Sequence, residues 1–349
     1  METDTVSDTS FMGLARGQQI PSTFDMRTHL SIAEQIVLAF FSYITLAAFV
    51  LHLAARDIGI IITLNTVTLA TLMALRQNRR RAPWLAAAAD LYPALLLLVA
   101  YRESGLLLTP DLAHHLDYVF IQWDRILLHS RLVQTVLQAG APWLQHYLEL
   151  AYLLCYPLVP LGVAAIHVAT HRSSEPDVSS NRVDNVAPPF WRHLPAGCRR
   201  NIRSAVQVFR KHSEPAATRQ RATDDFWTGV LLATLFCYAV YPFFPLTPPR
   251  VLFGDVPGPH VAPLLRKMNF WLLDHYSVQA CIFPSGHVAA VTAVAFAVRK
   301  QAPRLGVLFL FLAASVAIAT VYGRYHYAAD AVAGAIVGVA AYQVSKLFK

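Results

Sequence analysis

The sequence predicts an all-α, polytopic membrane protein with about eight transmembrane helices, and three observations carry that expectation. Of its 349 residues 55% are hydrophobic and only 14% charged, with a mean hydropathy of +0.41; in ordinary soluble domains charged residues make up about a quarter. The apolar residues fall in long runs, each near the ~20 residues that a bilayer core requires. The basic residues cluster between these runs, where lysine and arginine set topology and meet anionic headgroups. The net charge of +8 therefore reads as membrane topology, and no nucleic-acid partner is expected.

Taken in order, residues 1–30 form a polar tail that lacks the apolar core and cleavage site of a secretory signal. Residues 31–82 hold two accessory spans, at 33–53 and 57–75, closed by Arg76, Arg79, Arg80 and Arg81. That basic cluster is expected in the cytoplasm. A core of residues 83–349 opens with a span at 83–101. Residues 103–145 mix apolar residues with Asp111, His114, His115, Asp117, Asp124, Arg125 and Arg131, which predicts one or two amphipathic helices at the outer interface. A span at 147–168 leads into a basic cytoplasmic linker at 171–224, with a helix expected around Asn201 to Lys211.

Spans at 226–245, 284–298, 305–321 and 328–345 follow, with an outer loop at 250–283. Both termini then lie inside. The span at 284–298 reaches only about 22 Å against a core near 30 Å, so either Arg299 and Lys300 snorkel or His287 sits below the outer surface, the favoured reading. Asp90, Glu149 and Asn65 interrupt apolar runs and are read as helix–helix hydrogen-bonding groups. No repeat of fixed period supports an inverted-repeat transporter. The four cysteines are scattered and show no disulfide or metal spacing, so neither a metal nor a cofactor is expected.

Two stretches carry chemistry. Pro284-Ser285-Gly286-His287 introduces an apolar helix: proline suits a first turn, Ser285 can cap, and Gly286 allows close backbone approach. Free amides at such a helix start bind anions, and His287 stands beside them. Further on, His326 and Asp330 are four residues apart and share a helix face. A carboxylate that fixes an imidazole tautomer leaves the other ring nitrogen as a nucleophile or base. Arg250 is placed where a span leaves the membrane and can grip phosphate oxygens. Arg324 is a second candidate clamp. The predicted topology brings all of these to one membrane face.

These motifs resemble the type 2 phosphatidate phosphatase superfamily, which shares its site with bacterial acid phosphatases and vanadium haloperoxidases. The resemblance covers about 245–335, and the spans from 83 onward look like the family's six-helix core. Two positions depart from the phosphatase pattern. Phe243 stands where the family has a lysine, and Thr320 where it has an arginine. The stretch from Thr320 and Tyr322 to His326, Tyr327 and Asp330 looks like the branch containing inositol phosphorylceramide synthases.

The resemblance implies that His326 attacks phosphorus and Asp330 orients it. His287 would protonate the leaving oxygen and then activate water or an alcohol, while Arg250, Ser285 and Gly286 hold the phosphoryl oxygens. The expected activity is metal-independent phosphoryl transfer on a membrane lipid phosphate, by a lipid phosphatase or a phosphotransferase to an alcohol such as inositol. A catalytically inactive lipid-binding or lipid-transport protein is the alternative. The expected location is an inner or plasma membrane, with the site on the extracytoplasmic side. Nothing in the sequence sets the oligomeric state.

Overall fold

The computed structural model describes residues 30–108, 116–129, 141–173, 196–254, 263–278 and 280–348. The expected polar tail lies outside them, as do His114, His115, Asp111 and Arg131. The chain opens with α1 (Ile32–Val50), α2 (Ala55–Asn78) and α3 (Pro83–Leu106). A capping box starts α1: Ser31 Oγ accepts from the Glu34 amide and the Glu34 carboxylate accepts from the Ser31 amide. Pro83 begins α3 at a position where a missing N–H costs nothing. A short amphipathic helix follows, α4 (Asp117–Leu127).

The expected span at 147–168 is broken. Helices α5 (Pro142–Leu153) and α6 (Cys155–Ser173) meet at 64°, because Pro157 has no N–H for the Leu153 carbonyl. Next comes α7 (Ala196–Val240), one helix of 45 residues that includes much of the expected linker. Arginine, alanine and glutamine are good helix formers; the polarity of arginine and glutamine argues against burial, not against a helix. Residues 250–283 also depart from the expected loop. They hold α8 (Pro249–Leu252) and α9 (Pro263–Tyr276). Asn269 and Leu273, one turn apart on α9, are buried, in a helix too short to span.

Three helices complete the bundle: α10 (Gly286–Gln301), α11 (Pro303–Tyr322) and α12 (Ala328–Ser345). The all-α architecture carries one small ladder. Strands β1 (Pro245–Leu246) and β2 (Cys281–Ile282) pair antiparallel, Pro245 with Ile282 and Leu246 with Cys281.

Six helices among the described residues are long and apolar enough to cross a membrane, and the α5–α6 pair makes a seventh. This is an all-α, multi-pass membrane protein. Helix α10 has only 16 residues, about 24 Å. It is wrapped by α6, α7, α11 and α12, and every residue from Val288 to Ala295 is buried. A helix enclosed by protein need not match the lipid thickness.

Close packing around α10 depends on small residues. A Cβ at Gly334 of α12 would lie 2.5 Å from the Ser285 carbonyl oxygen, and one at Gly338 would lie 2.6 Å from that of Ala289. Four residues apart, the two glycines line one face and let the backbones touch. The polar residues inside the apolar runs join helices, as expected. Asp90 is buried, pairs with Arg79 and lies 3.1 Å from His167 Nε2; its carbonyl accepts from Trp227 Nε1 at 2.7 Å. Asn65 of α2 bridges Thr45 of α1 and Glu103 of α3, each 2.9 Å from its amide.

Gly338→Ala is therefore expected to lower stability by about 1–3 kcal/mol through overpacking, read by thermal unfolding in detergent. Gly59→Ala, which meets nothing within 4 Å on α2, should be neutral or mildly stabilising. Equal effects at the two positions would contradict the packing account.

Candidate functional site

The site is assembled where α10 and α12 begin and α11 ends. Ser285 caps α10: its backbone is extended and its Oγ accepts from the Val288 amide at 3.4 Å. Its own N–H donates to the Asp330 carbonyl at 3.2 Å, which ties the two helix starts together. Gly286 is needed for contact, since a Cβ there would lie 2.8 Å from Tyr241 Oη and 2.9 Å from the Tyr238 ring. Its Cα thus meets tyrosines, and what it presents outward is the first-turn backbone of α10.

The turn from α11 to α12 sets the second histidine. The Thr320 carbonyl accepts from both Tyr325 and His326 amides, at 2.9 and 3.1 Å. Gly323 leaves room for the Tyr325 ring, 2.2 Å from where its Cβ would be. Arg324 takes a left-handed backbone, φ 61°, a conformation that costs about 1 kcal/mol or more outside glycine. In that conformation its carbonyl accepts from the Arg250 amide at 2.9 Å, so the α8 element is stitched to the His326 turn.

These constraints bring the two imidazoles together. The His287 and His326 rings are 5.8 Å apart, edge to face, and His326 Nδ1 lies 3.5 Å from Asp330 Oδ2. That same oxygen accepts from the Tyr327 amide at 3.2 Å. His326 is 8% exposed and Asp330 fully buried. Tyr152 and Tyr156 line the other side of His287, at 6.0 and 5.7 Å between ring centres. Arg250 lies within electrostatic reach of Tyr156. The Arg324 guanidinium donates to the Phe253 carbonyl, at the end of α8, at 3.2 Å. Burial, and then the nearby Arg266 charge, lower its pKa.

The two departures from the family pattern have structural counterparts. Thr320 is fully buried and its Oγ1 donates to the Ala317 carbonyl at 2.7 Å. Phe243 is 65% exposed. Neither position holds a cation.

Sequence reasoning missed two supports of this site. The first is α4. Asp117, Phe120 and Asp124 share one helix face and dock on the site. Asp117 Oδ1 accepts from the Thr247 amide at 2.8 Å, and Tyr327 Oη donates to the Thr247 carbonyl at 3.1 Å. Phe120 packs on Phe283 and Tyr327, at 4.9 and 5.7 Å between ring centres. The Asp124 carboxylate accepts from the Ala328 and Ala329 amides at 3.0 and 3.1 Å. Tyr118 and Ile126, on the other faces, are exposed. Trp123, Ile126 and Leu127 border an apolar groove of about 330 Å³ with Val332 and Ile336. Phe283, Ala329 and Ala333 complete its lining, so the groove carries no charged or polar side chain.

The second support is a buried ion-pair network. Glu149 Oε1 lies 2.6 Å from Arg266 Nη1, while Oε2 accepts from Asn269 at 2.8 Å and from Tyr325 Oη at 2.6 Å. Tyr325 stacks on Tyr152 at 3.8 Å. Burial, followed by the Glu149 charge, raises the Tyr325 phenol pKa, so it stays a donor. Glu149 was expected to join helices; it also holds the residue beside His326. Tyr325→Phe is expected to cost about 2 kcal/mol, the worth of a hydrogen bond to a charged group. Glu149→Ala should cost about 3–5 kcal/mol by leaving Arg266 without its carboxylate. Both are read by unfolding in detergent, and a smaller loss for Glu149→Ala than for Tyr325→Phe would contradict the network.

No curated protein and no solved structure matches the chain. One family model does, over residues 216–344, the stretch from the membrane half of α7 to the end of α12 that contains both histidines, Asp330 and Arg250. That model describes the PAP2 superfamily, so residues 216–344 of this membrane protein are similar to that superfamily.

Proposed function

We propose that the protein transfers phosphoryl groups from a membrane lipid phosphate through a phosphohistidine on His326. The observation that carries this reading is the pair of imidazoles 5.8 Å apart with a buried carboxylate behind one of them. Asp330 beside Nδ1 favours the tautomer with its proton on that nitrogen, leaving Nε2 as nucleophile. The bond from phosphorus to the leaving oxygen breaks as the bond to Nε2 forms, and His287 gives the departing oxygen a proton. His287 then takes a proton from the acceptor, which attacks phosphorus and frees His326. Arg250 and the first-turn amides of α10 neutralise charge on the equatorial oxygens. Nothing in these steps calls for a metal.

The acceptor is water or an alcohol such as inositol. Buried Thr320 and exposed Phe243 leave the site with less positive charge than the phosphatase pattern implies. That favours a donor already esterified, carrying fewer negative charges, and hence transfer to an alcohol. The site faces the extracytoplasmic side in this reading, because Arg79, Arg299, Lys300 and Lys346 cluster at the other end of the bundle, where Lys300 pairs with Asp225 at 2.8 Å.

The test is a panel of phosphatidate, polyprenyl diphosphate and phosphatidylinositol, each with and without inositol or glycerol, on purified protein with and without chelator. Turnover is expected for at least one lipid, unaffected by chelation. His326→Ala should bring it to background, and His287→Ala and Asp330→Asn should each lower kcat by roughly 10²–10⁴-fold. Wild-type turnover in the folded histidine variants would end the proposal. Tight lipid binding without turnover over the whole panel would favour the lipid-binding alternative.

A further inference from the structure

We infer that Asp124 is a positioning residue for the His326–Asp330 pair, acting through the first turn of α12. This inference rests on the function proposed above. Asp124 belongs to α4, outside the matched family region, and its two oxygens take the amides of Ala328 and Ala329. Those amides belong to the α12 first turn, whose N–H groups have no partner within the helix. The chain between them and the chemistry is short. Ala329 is bonded to Asp330, and Tyr327, one residue before Ala328, donates its amide to the same Asp330 oxygen that faces His326.

A capping carboxylate also complements the positive end of the helix dipole. Asp124 does this from a partly buried place. Burial pushes its carboxyl pKa up, the two amides draw it down, and the Asp330 charge raises it again. Two further contacts fix α4 against sliding, Asp117 on the Thr247 amide and Phe120 against Phe283 and Tyr327. Through Thr247 the same helix reaches the segment that leads to Arg250. A helix that reads as an interfacial strap thus sets the aim of the imidazole pair from outside the bundle.

The test is steady-state kinetics of full-length Asp124→Ala and Asp124→Asn in detergent micelles, on the panel lipid with the fastest wild-type turnover. Thermal unfolding gives the folded fraction, and Asp225→Asn, at the opposite end, serves as control. The alanine variant should lose about 10- to 100-fold in kcat per folded molecule, as expected for a small misplacement of reacting groups, with KM within about twofold. Asparagine, which keeps one acceptor oxygen, should fall between alanine and wild type. A wild-type kcat per folded molecule in Asp124→Ala, or a change confined to KM, would overturn the inference while leaving the proposed function intact. Failure of the wild type on the whole panel would instead remove the proposed function, and this inference with it.

Discussion

One backbone hydrogen bond, from the Ser285 N–H to the Asp330 carbonyl, holds the rest of the site in register. It joins the cap of α10 to the first turn of α12, so His287, in the first turn of α10, and His326, just before the cap of α12, come together. The bond forms only because α12 lies against α10 at backbone distance, with Gly334 and Gly338 at the contact. A side chain at either glycine would lift the helix and separate the imidazoles. Packing in the middle of the bundle and chemistry at its end are therefore one problem, solved by the same two helices.

The polar groups divide into two ends with different work. Near the histidines, Glu149, Asn269, Arg266 and Tyr325 form a hydrogen-bonded network among α5, α9 and the α11–α12 turn. At the other end Asp90, Arg79 and His167 tie α3 to α2 and α6. Buried ion pairs of this kind add little net stability, but removing one partner is costly. Their value here is geometric, since Tyr325 is fixed on both its ring face and its hydroxyl. His326 is the next residue.

The sequence made the core of this arrangement legible because the signals are local. His326 and Asp330 are four residues apart, and the start of α10 is spelled by adjacent residues. The link from Asp124 to Ala328 crosses 204 residues, and no local pattern announces it. An amphipathic helix at the outer interface is legible in residues 103–145, but the amides its carboxylates meet are not. The same limit hid α9, whose buried Asn269 makes sense only beside Glu149. Pairing of Arg250 with the Arg324 carbonyl was likewise out of reach, although both arginines were candidates. The bend between α5 and α6 was legible in principle from Pro157.

The similarity of residues 216–344 to the PAP2 superfamily and the paired imidazoles both favour the phosphoryl transfer proposed, which stands on which atom receives the phosphoryl group. Rapid quenching of the protein with a lipid donor carrying radiolabelled phosphorus, followed by peptide mapping, measures this directly. The account predicts an acid-labile, alkali-stable label on the peptide containing His326, absent from His326→Ala. Label on any other residue, or turnover with no label on His326 at any time, would contradict it.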